Sequence, residues 1–254
     1  MSALSPARGL RVWGRNFLLW RKLMVPSLIH HMVDPLMYLF ALGLGLGALV
    51  GDVDGQGYLG FIAPAIVCIN VLSVCSFEGL YSAFTRMHMQ GTWDAMRNAP
   101  MTVDDIVLGE WAWATSKGML SSGCMLLVLC VVGVVSPAAA AASLPLLLLL
   151  GMACSAIALA YNAVSPGYDF FMYFFTLYVT PMLMLSGSFF PIEVLPGWLE
   201  AAMRALPLAP TVEAVREAFR GEASWSAAAA AAQLALCAAA ALWAAVRLTR
   251  RRLA

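Results

Sequence analysis

Six stretches of this chain are apolar over a length that crosses a bilayer as a helix, a crossing that takes about 20 residues. They cover 29–50, 58–84, 106–135, 144–164, 170–190 and 226–246. In hydrocarbon each backbone N–H and C=O must find a partner within the protein, and a helix supplies it within the segment. Composition agrees: 62% of residues are hydrophobic and 11% charged, whereas a soluble domain carries about 25% charged residues. The expected fold is all-α, a polytopic membrane protein with six transmembrane helices in a single domain over 1–254.

Orientation follows from Lys and Arg, which gather on the cytoplasmic side of spans. Arg8, Arg11, Arg15, Arg21 and Lys22 precede the first stretch, Arg86 and Arg97 follow the second, and Arg247, Arg250, Arg251 and Arg252 close the chain. Arg204, Arg216 and Arg220 fall on the other side, and Lys117 lies inside the third stretch. Eleven against three places both termini in the cytoplasm. The net charge of +1 offers no basic field for nucleic acid. The six cysteines all sit in apolar runs without CxxC or histidine spacing, and read as small helix fillers. A cleavable signal peptide is not expected, because Arg15, Arg21 and Lys22 interrupt the first apolar segment.

Three segments do not read as spans. Over 5–25, Leu10, Trp13, Phe17, Trp20 and Met24 share one helical face, with Arg8, Arg11, Arg15 and Lys22 opposite. Such a helix lies at the cytoplasmic lipid interface, as an anchor alone or also touching a cytoplasmic partner. In the loop 85–105, Gly91 and Pro100 bracket a short helix on which Trp93, Met96 and Arg97 share a face, and Thr102 with Asp105 forms a capping box. Tryptophan and methionine exposed there point to a protein partner, with lipid as the alternative cover.

The third segment, 191–223, is expected on the outer side. Pro196 starts a helix with Leu199, Met203 and Leu206 on one face and Glu200–Arg204 at i,i+4. Pro207 and Pro210 end it, and Thr211 caps a second helix bearing Val212, Val215 and Phe219. The pair forms a re-entrant hairpin if protein shields its bend, or a lid on the interface. Among the connections, Gly51-Asp52-Val53-Asp54-Gly55 is a tight acidic turn and Ser136-Pro137 opens a short alanine-rich link.

Catalytic signatures are missing. There is no GxxxxGK[ST], HExxH or GxSxG, so the chain is not read as an enzyme and holds no cofactor of its own. Gly43 and Gly47 read as a small-xxx-small packing face. No repeat between halves supports an inverted-repeat transporter. Ionisable residues within spans are functional candidates. Asp34 (beside His30 and His31), Glu110, Lys117 and Asp169 are such candidates, with Glu110 and Lys117 two turns apart on one face. The alternatives are interfacial placement for Asp34, Glu110 and Asp169 and snorkelling for Lys117. Glu78 either lines a polar path or makes an interhelical ion pair. Tyr168, Phe170, Phe171, Tyr173, Phe174, Phe175 and Tyr178 form belt and core packing, or a conduit face that stacks on sugars or acyl chains.

The order of interfacial helix, six spans, loop helix and outer hairpin resembles the permease subunits of ABC-2 type exporters. Ser186-Gly187-Ser188-Phe189-Phe190-Pro191-Ile192-Glu193-Val194-Leu195-Pro196 and Leu206-Pro207-Leu208-Ala209-Pro210 carry that likeness. Three blocks, Gly51 to Gly55, Thr92 to Met96 and Asp105 to Trp113, resemble the nodulation protein J group, permeases of rhizobial lipo-chitooligosaccharide exporters. The Asp34-Pro35-Leu36 start of the first span and the Arg250-Arg251-Arg252-Leu253 tail fit as well.

The resemblance implies a homodimer in the bacterial inner membrane joined to two cytoplasmic ABC ATPase subunits, which bring ATP and Mg. It implies a coupling helix carried by Gly91, Thr92, Trp93, Asp94, Ala95, Met96 and Arg97, and an exit gate at Phe189, Phe190, Pro191 and Pro196. Glu78, Tyr81, Tyr173, Phe174 and Tyr178 are the path candidates for an amphiphilic glycan or lipid cargo. The rival readings are an ATP-independent secondary transporter using Glu78, an exporter of another hydrophobic small molecule, a membrane enzyme on lipid-linked sugars, and a scaffold.

Overall fold

The computed structural model describes residues 6–53, 56–222 and 225–253. Asp54, Gly55 and the His30, His31 and Asp34 side chains lie outside the described residues. Ten helices follow in order among the described residues: α1 (Pro6–Arg21), α2 (24–50), α3 (Tyr58–Met89), α4 (Thr92–Arg97), α5 (Val103–Val132), α6 (Pro137–Val164), α7 (Asp169–Leu185), α8 (Gly197–Ala205), α9 (Leu208–Arg220) and α10 (Trp225–Leu253). Four of them, α3, α5, α6 and α10, are long and apolar enough to cross a membrane, and Leu36–Val50 and α7 are shorter apolar helices. Asp52–Val53 and Gln56–Gly57 pair antiparallel between α2 and α3.

α3 is apolar on every face and is sheathed by α2, α5, α6 and α9, as an all-round apolar helix must be. α10 lies at the edge against α6. Glycine sets how closely the helices approach. Gly43 and Gly47 meet Leu59 and Tyr58, as a small-xxx-small face predicts. A Cβ on Gly118 would fall 2.4 Å from Cys75 Sγ, and one on Gly79 2.8 Å from Ala158 Cβ.

Several boundaries differ from those expected. α6 starts at Pro137, not 144: Ser136 Oγ accepts from Ala139 N at 3.2 Å and Pro137 occupies the first turn, so the alanine run is helix and not a link. α7 stops at Leu185, not 190, where Gly187 takes φ +75° and the Ser186 and Ser188 hydroxyls bond at 2.8 Å. α3 runs to Met89, so Arg86 is a helix residue and not part of a loop. α8 ends at Ala205, with Leu206 extended before Pro207 as expected, but the two prolines do not stand apart from the next helix. They open α9, whose first turn has N–H groups with no helical acceptor and so tolerates proline. Thr211 lies inside α9, its hydroxyl donating to Pro207 O at 2.6 Å.

The hairpin α8–α9 packs into the protein. Leu208, Val212 and Val215 are buried against α3 and α6. Arg216 is buried too, its guanidinium 4.0 Å over the Phe61 ring and its Nη2 donating to Gly187 O at 2.8 Å. The Glu200–Arg204 contact forms at 2.9 Å.

The capping box at α5 also forms. Thr102 Oγ1 accepts from Asp105 N at 3.2 Å, and Asp105 Oδ2 accepts from Thr102 N at 3.0 Å. Thr102→Ala is expected to cost about 1 kcal/mol. Hydrogen exchange of the first turn of α5 checks this, and unchanged protection there would contradict it.

Candidate functional site

Four charged side chains meet between α3 and α5. Glu78 stands in a π-turn of α3 (Glu78–Ser82) and is 2% exposed. Its Oε1 accepts from Trp113 Nε1 at 2.9 Å and pairs with Arg86 Nη2 at 2.9 Å, and its Oε2 pairs with Lys117 Nζ at 2.8 Å. Arg86 also grips both oxygens of the buried Glu110, with Nη2–Oε2 at 2.6 Å. Two carboxylates and two cations balance here. Removing charges from water costs several kcal/mol each, a cost that these close ion pairs offset.

The π-turn makes the arrangement possible. In a regular helix, residues eight apart lie about 80° apart around the axis. A π-turn takes up one extra residue, which brings Arg86 to within about 20° of Glu78. Asn162 on α6 steadies the widened turn, its Nδ2 donating to Gly79 O at 2.9 Å and Leu80 O at 3.0 Å.

α1 covers this network. Gly9, Val12 and Asn16 are buried toward α5, and Trp13, Phe17 and Trp20 ring Trp113 with centroids 5.8–6.4 Å away. Trp13 Nε1 donates to Ser116 Oγ at 3.0 Å. The aromatic face expected on lipid is therefore turned largely onto protein, while Leu10 is left 67% exposed. Nor is the basic face free: Arg8 pairs with Asp105 at 3.6 Å, and Arg15 donates to Thr92 Oγ1 at 3.1 Å.

Thr92 belongs to α4, which starts at Gly91 in the left-handed region (φ +58°). One correction concerns Trp93. Expected outward, it is 3% exposed, packed with Met87, Ile106, Val107, Leu159 and Ala245. A ring on so short a helix is worth more as an apolar anchor, with Met96 beside it, than as a surface. The opposite face stays bare, with Asp94 70% exposed and Ala95 exposed; Met96 is half-buried. The end of α10 holds the same region. Arg97 Nη2 donates to Leu253 O at 2.9 Å, Arg250 pairs with Asp104, and Arg252 Nη1 donates to Ser165 O at 2.7 Å.

At the other end, Tyr58 Oη donates to Phe189 O at 3.3 Å, and Phe189 and Phe190 are half-buried. Pro191 precedes a 3-10 turn (Ile192–Val194) and Pro196 precedes α8. Arg204 ties Glu193, Glu200 and Glu213 together, at 3.3, 2.9 and 2.7 Å. Arg204, Glu193 and Glu213 border a cavity of about 230 Å³, together with Pro191, Ile192, Arg216, Glu217 and Arg220. Burial there holds the Glu213 carboxyl above its ordinary value, against the pull of Arg204.

Residues 10–219 match the ABC-2 type transporter family. The chain belongs to that family. It is similar to nodulation protein J of Rhizobium meliloti (strain 1021), 39% identical over 222 residues that cover 86% of this chain and 85% of the relative. Nodulation protein J of Bradyrhizobium diazoefficiens is 36% identical over 242 residues, 95% of this chain and 92% of the relative. The inner membrane transport permease YadH of Escherichia coli (strain K12) is 20% identical over 211 residues, 83% and 82% of the two. No solved structure matches.

As an ABC-2 permease the chain is a multi-pass membrane protein and a non-catalytic subunit of its transporter, in a family whose permeases pair with ABC ATPases. The path candidates divide in this permease. Glu78 faces α1 and α5. Tyr81 stacks on Phe77 at 4.7 Å and meets Phe171 of α7 at 5.0 Å. Phe174 is buried beside Tyr161, and the Tyr178 hydroxyl is buried near it, whereas Tyr173 is 58% exposed. Sequence reading passed over Arg86, Trp113, Arg15 and Asn162. The available signals were a carboxylate and a cation eight residues apart in one apolar stretch, Glu78 and Arg86, and seven apart in the next, Glu110 and Lys117.

Proposed function

We propose that this permease is the membrane half of an ATP-driven exporter that moves a lipo-oligosaccharide or similar amphiphile out of the cytoplasm. It works as a homodimer with two ATPase subunits in a bacterial inner membrane, with six crossings per chain and both termini cytoplasmic. The Lys and Arg distribution supports the orientation. Likeness to nodulation protein J and to the rhizobial lipo-chitooligosaccharide exporters supports the cargo class.

One observation carries the coupling role. α4 is fastened by Trp93 and Thr92 while its Asp94 and Ala95 face is bare. A push on that face passes through Thr92–Arg15 to α1, and through Met87 and Ile106 to the charged network of α3 and α5. The cargo path is assigned to the dimer seam beside α7, with Tyr173 exposed along it, Tyr81, Phe174 and Tyr178 packed behind that face, and Glu78 in the charged network on the α1 and α5 side. Phe189, Phe190, Pro191 and Pro196 form the outer gate.

Asp94→Lys tests this reading. The permease is expected to reach the membrane in normal amount, with export and recovery of the ATPase on co-purification both falling by about tenfold or more. Normal export by this variant would sink the assignment.

A further inference from the structure

Beneath α1 lies a cavity of about 370 Å³, walled by α1, the first turn of α2, α3 and α5. Its polar side is formed by Asn16, Lys117, Glu78, Ser82 and Gln90. Its rim is apolar, with Leu19 48% and Leu23 65% exposed beside Trp20. The polar side holds unused donors. Asn16 is 3% exposed, its Oδ1 accepts from Arg15 at 3.1 Å, and its Nδ2 has no partner. Lys117 Nζ has three N–H groups and gives one, to Glu78 at 2.8 Å. Trp20 Nε1 and Ser27 Oγ are already bonded to each other at 2.9 Å, so they leave the other donors to a guest.

Charge points the same way. Among the described residues, Arg86, Lys117 and the adjoining Arg15 stand against Glu78 and Glu110, which leaves one positive charge in excess. A buried donor without a partner and an ammonium two-thirds unused are both satisfied by an anionic oxygen. An exposed leucine rim beside tryptophan suits an acyl or isoprenoid chain.

We propose that this cavity binds the net-anionic phosphate headgroup of an amphiphile, with Asn16 and Lys117 donating to the phosphate and the chain leaving over Leu19 and Leu23. A phospholipid of the surrounding leaflet and a phosphorylated isoprenoid carrier share that chemistry. The site is separate from the α4 surface and does not depend on export.

The test is binding to the purified full-length permease in mild detergent, followed by native mass spectrometry. The probes are dihexanoyl phosphatidylglycerol, farnesyl phosphate and dihexanoyl phosphatidylcholine. At least one of the two net-anionic probes is expected to bind tighter than the zwitterion. Phosphatidylglycerol alone assigns the site to bilayer lipid, farnesyl phosphate alone to a carrier, and both together to the headgroup itself. Asn16→Asp keeps the contact with Arg15 but places a carboxylate against the phosphate, and is expected to weaken binding about tenfold. Leu23→Asp, at a position 65% exposed, is expected to weaken it as well. Equal affinity for the zwitterion, or unchanged binding in both variants, would overturn the proposal. No ATPase is present in the assay, so failure of the export reading leaves its outcome untouched.

Discussion

Arg86→Met is expected to cost about 3–5 kcal/mol of stability, because it leaves Glu78 and Glu110 buried with half of their compensation gone. Lys117 would still pair with one oxygen of Glu78, but Glu110, fully enclosed, would have no cation within contact. Set against the 5–15 kcal/mol typical of a folded domain, the loss is a large fraction. It reads out as a lowered Tm of the purified permease and reduced yield in the membrane. Adding Glu110→Gln to Arg86→Met should recover much of the loss, since a neutral amide does not demand a counter-charge. A Tm equal to that of the parent chain in Arg86→Met would show that the network carries no stability.

Gly109→Val is expected to lift α1 off the bundle. A Cβ on residue 109 would fall 2.4 Å from Val12 Cβ and 2.6 Å from Gly9 O, and the second of these is backbone that cannot rotate away. Overpacking of this kind costs about 1–3 kcal/mol, and here it falls on one joint. Hydrogen exchange should rise across α1 while α6 and α10 keep their protection. The same variant should lose binding in the cavity beneath α1, since Asn16 and Trp20 leave with the helix. Unchanged exchange over α1 would mean that the helix is held by its other contacts, Trp13 with Ser116 and Arg15 with Thr92.

Local signals were legible in the sequence because they act over a few residues. Thr102 and Asp105 announced the cap of α5, Gly91 the start of α4, and Glu200 and Arg204 their pair on α8. Where backbone chemistry has two outcomes the sequence was ambiguous. Pro207 and Pro210 end one helix as readily as they begin another, and the alanine run after Pro137 is link or helix according to what it packs against. The charged network was legible only in part: an interhelical ion pair was one of the two readings for Glu78, but its partners were not named. Its contacts join Arg86 to Glu110 and Glu78 to Lys117 across 24 and 39 residues. The pairing of Glu78 with Arg86 depends on a π-turn that no periodicity of 3.6 reveals. Trp93 misled because amphipathic spacing shows which residues share a face, not whether that face turns toward a partner or toward the protein's own core.

On the coupling role proposed above, that distinction matters: an exposed tryptophan would make α4 a sticky surface, whereas a buried one would let it act as a lever, anchored at Trp93 and open at Asp94 and Ala95. The contact from Arg97 to Leu253 ties the last helix to α4, and the pair of Arg250 with Asp104 ties it to the start of α5. Force applied at α4 therefore has three routes into the bundle: α1 through Thr92, α3 and α5 through the Trp93 cluster, and α10 through its C-terminal turn.

The most direct test of the proposed coupling role is photo-crosslinking in the native membrane, with p-benzoylphenylalanine placed at Ala95 in one chain and at Trp198, 75% exposed on α8 of the hairpin, in another. An ATPase adduct formed from position 95 and absent from position 198 is the predicted result. An ATPase adduct from position 198, or none from position 95 in a permease that still exports, would contradict the account.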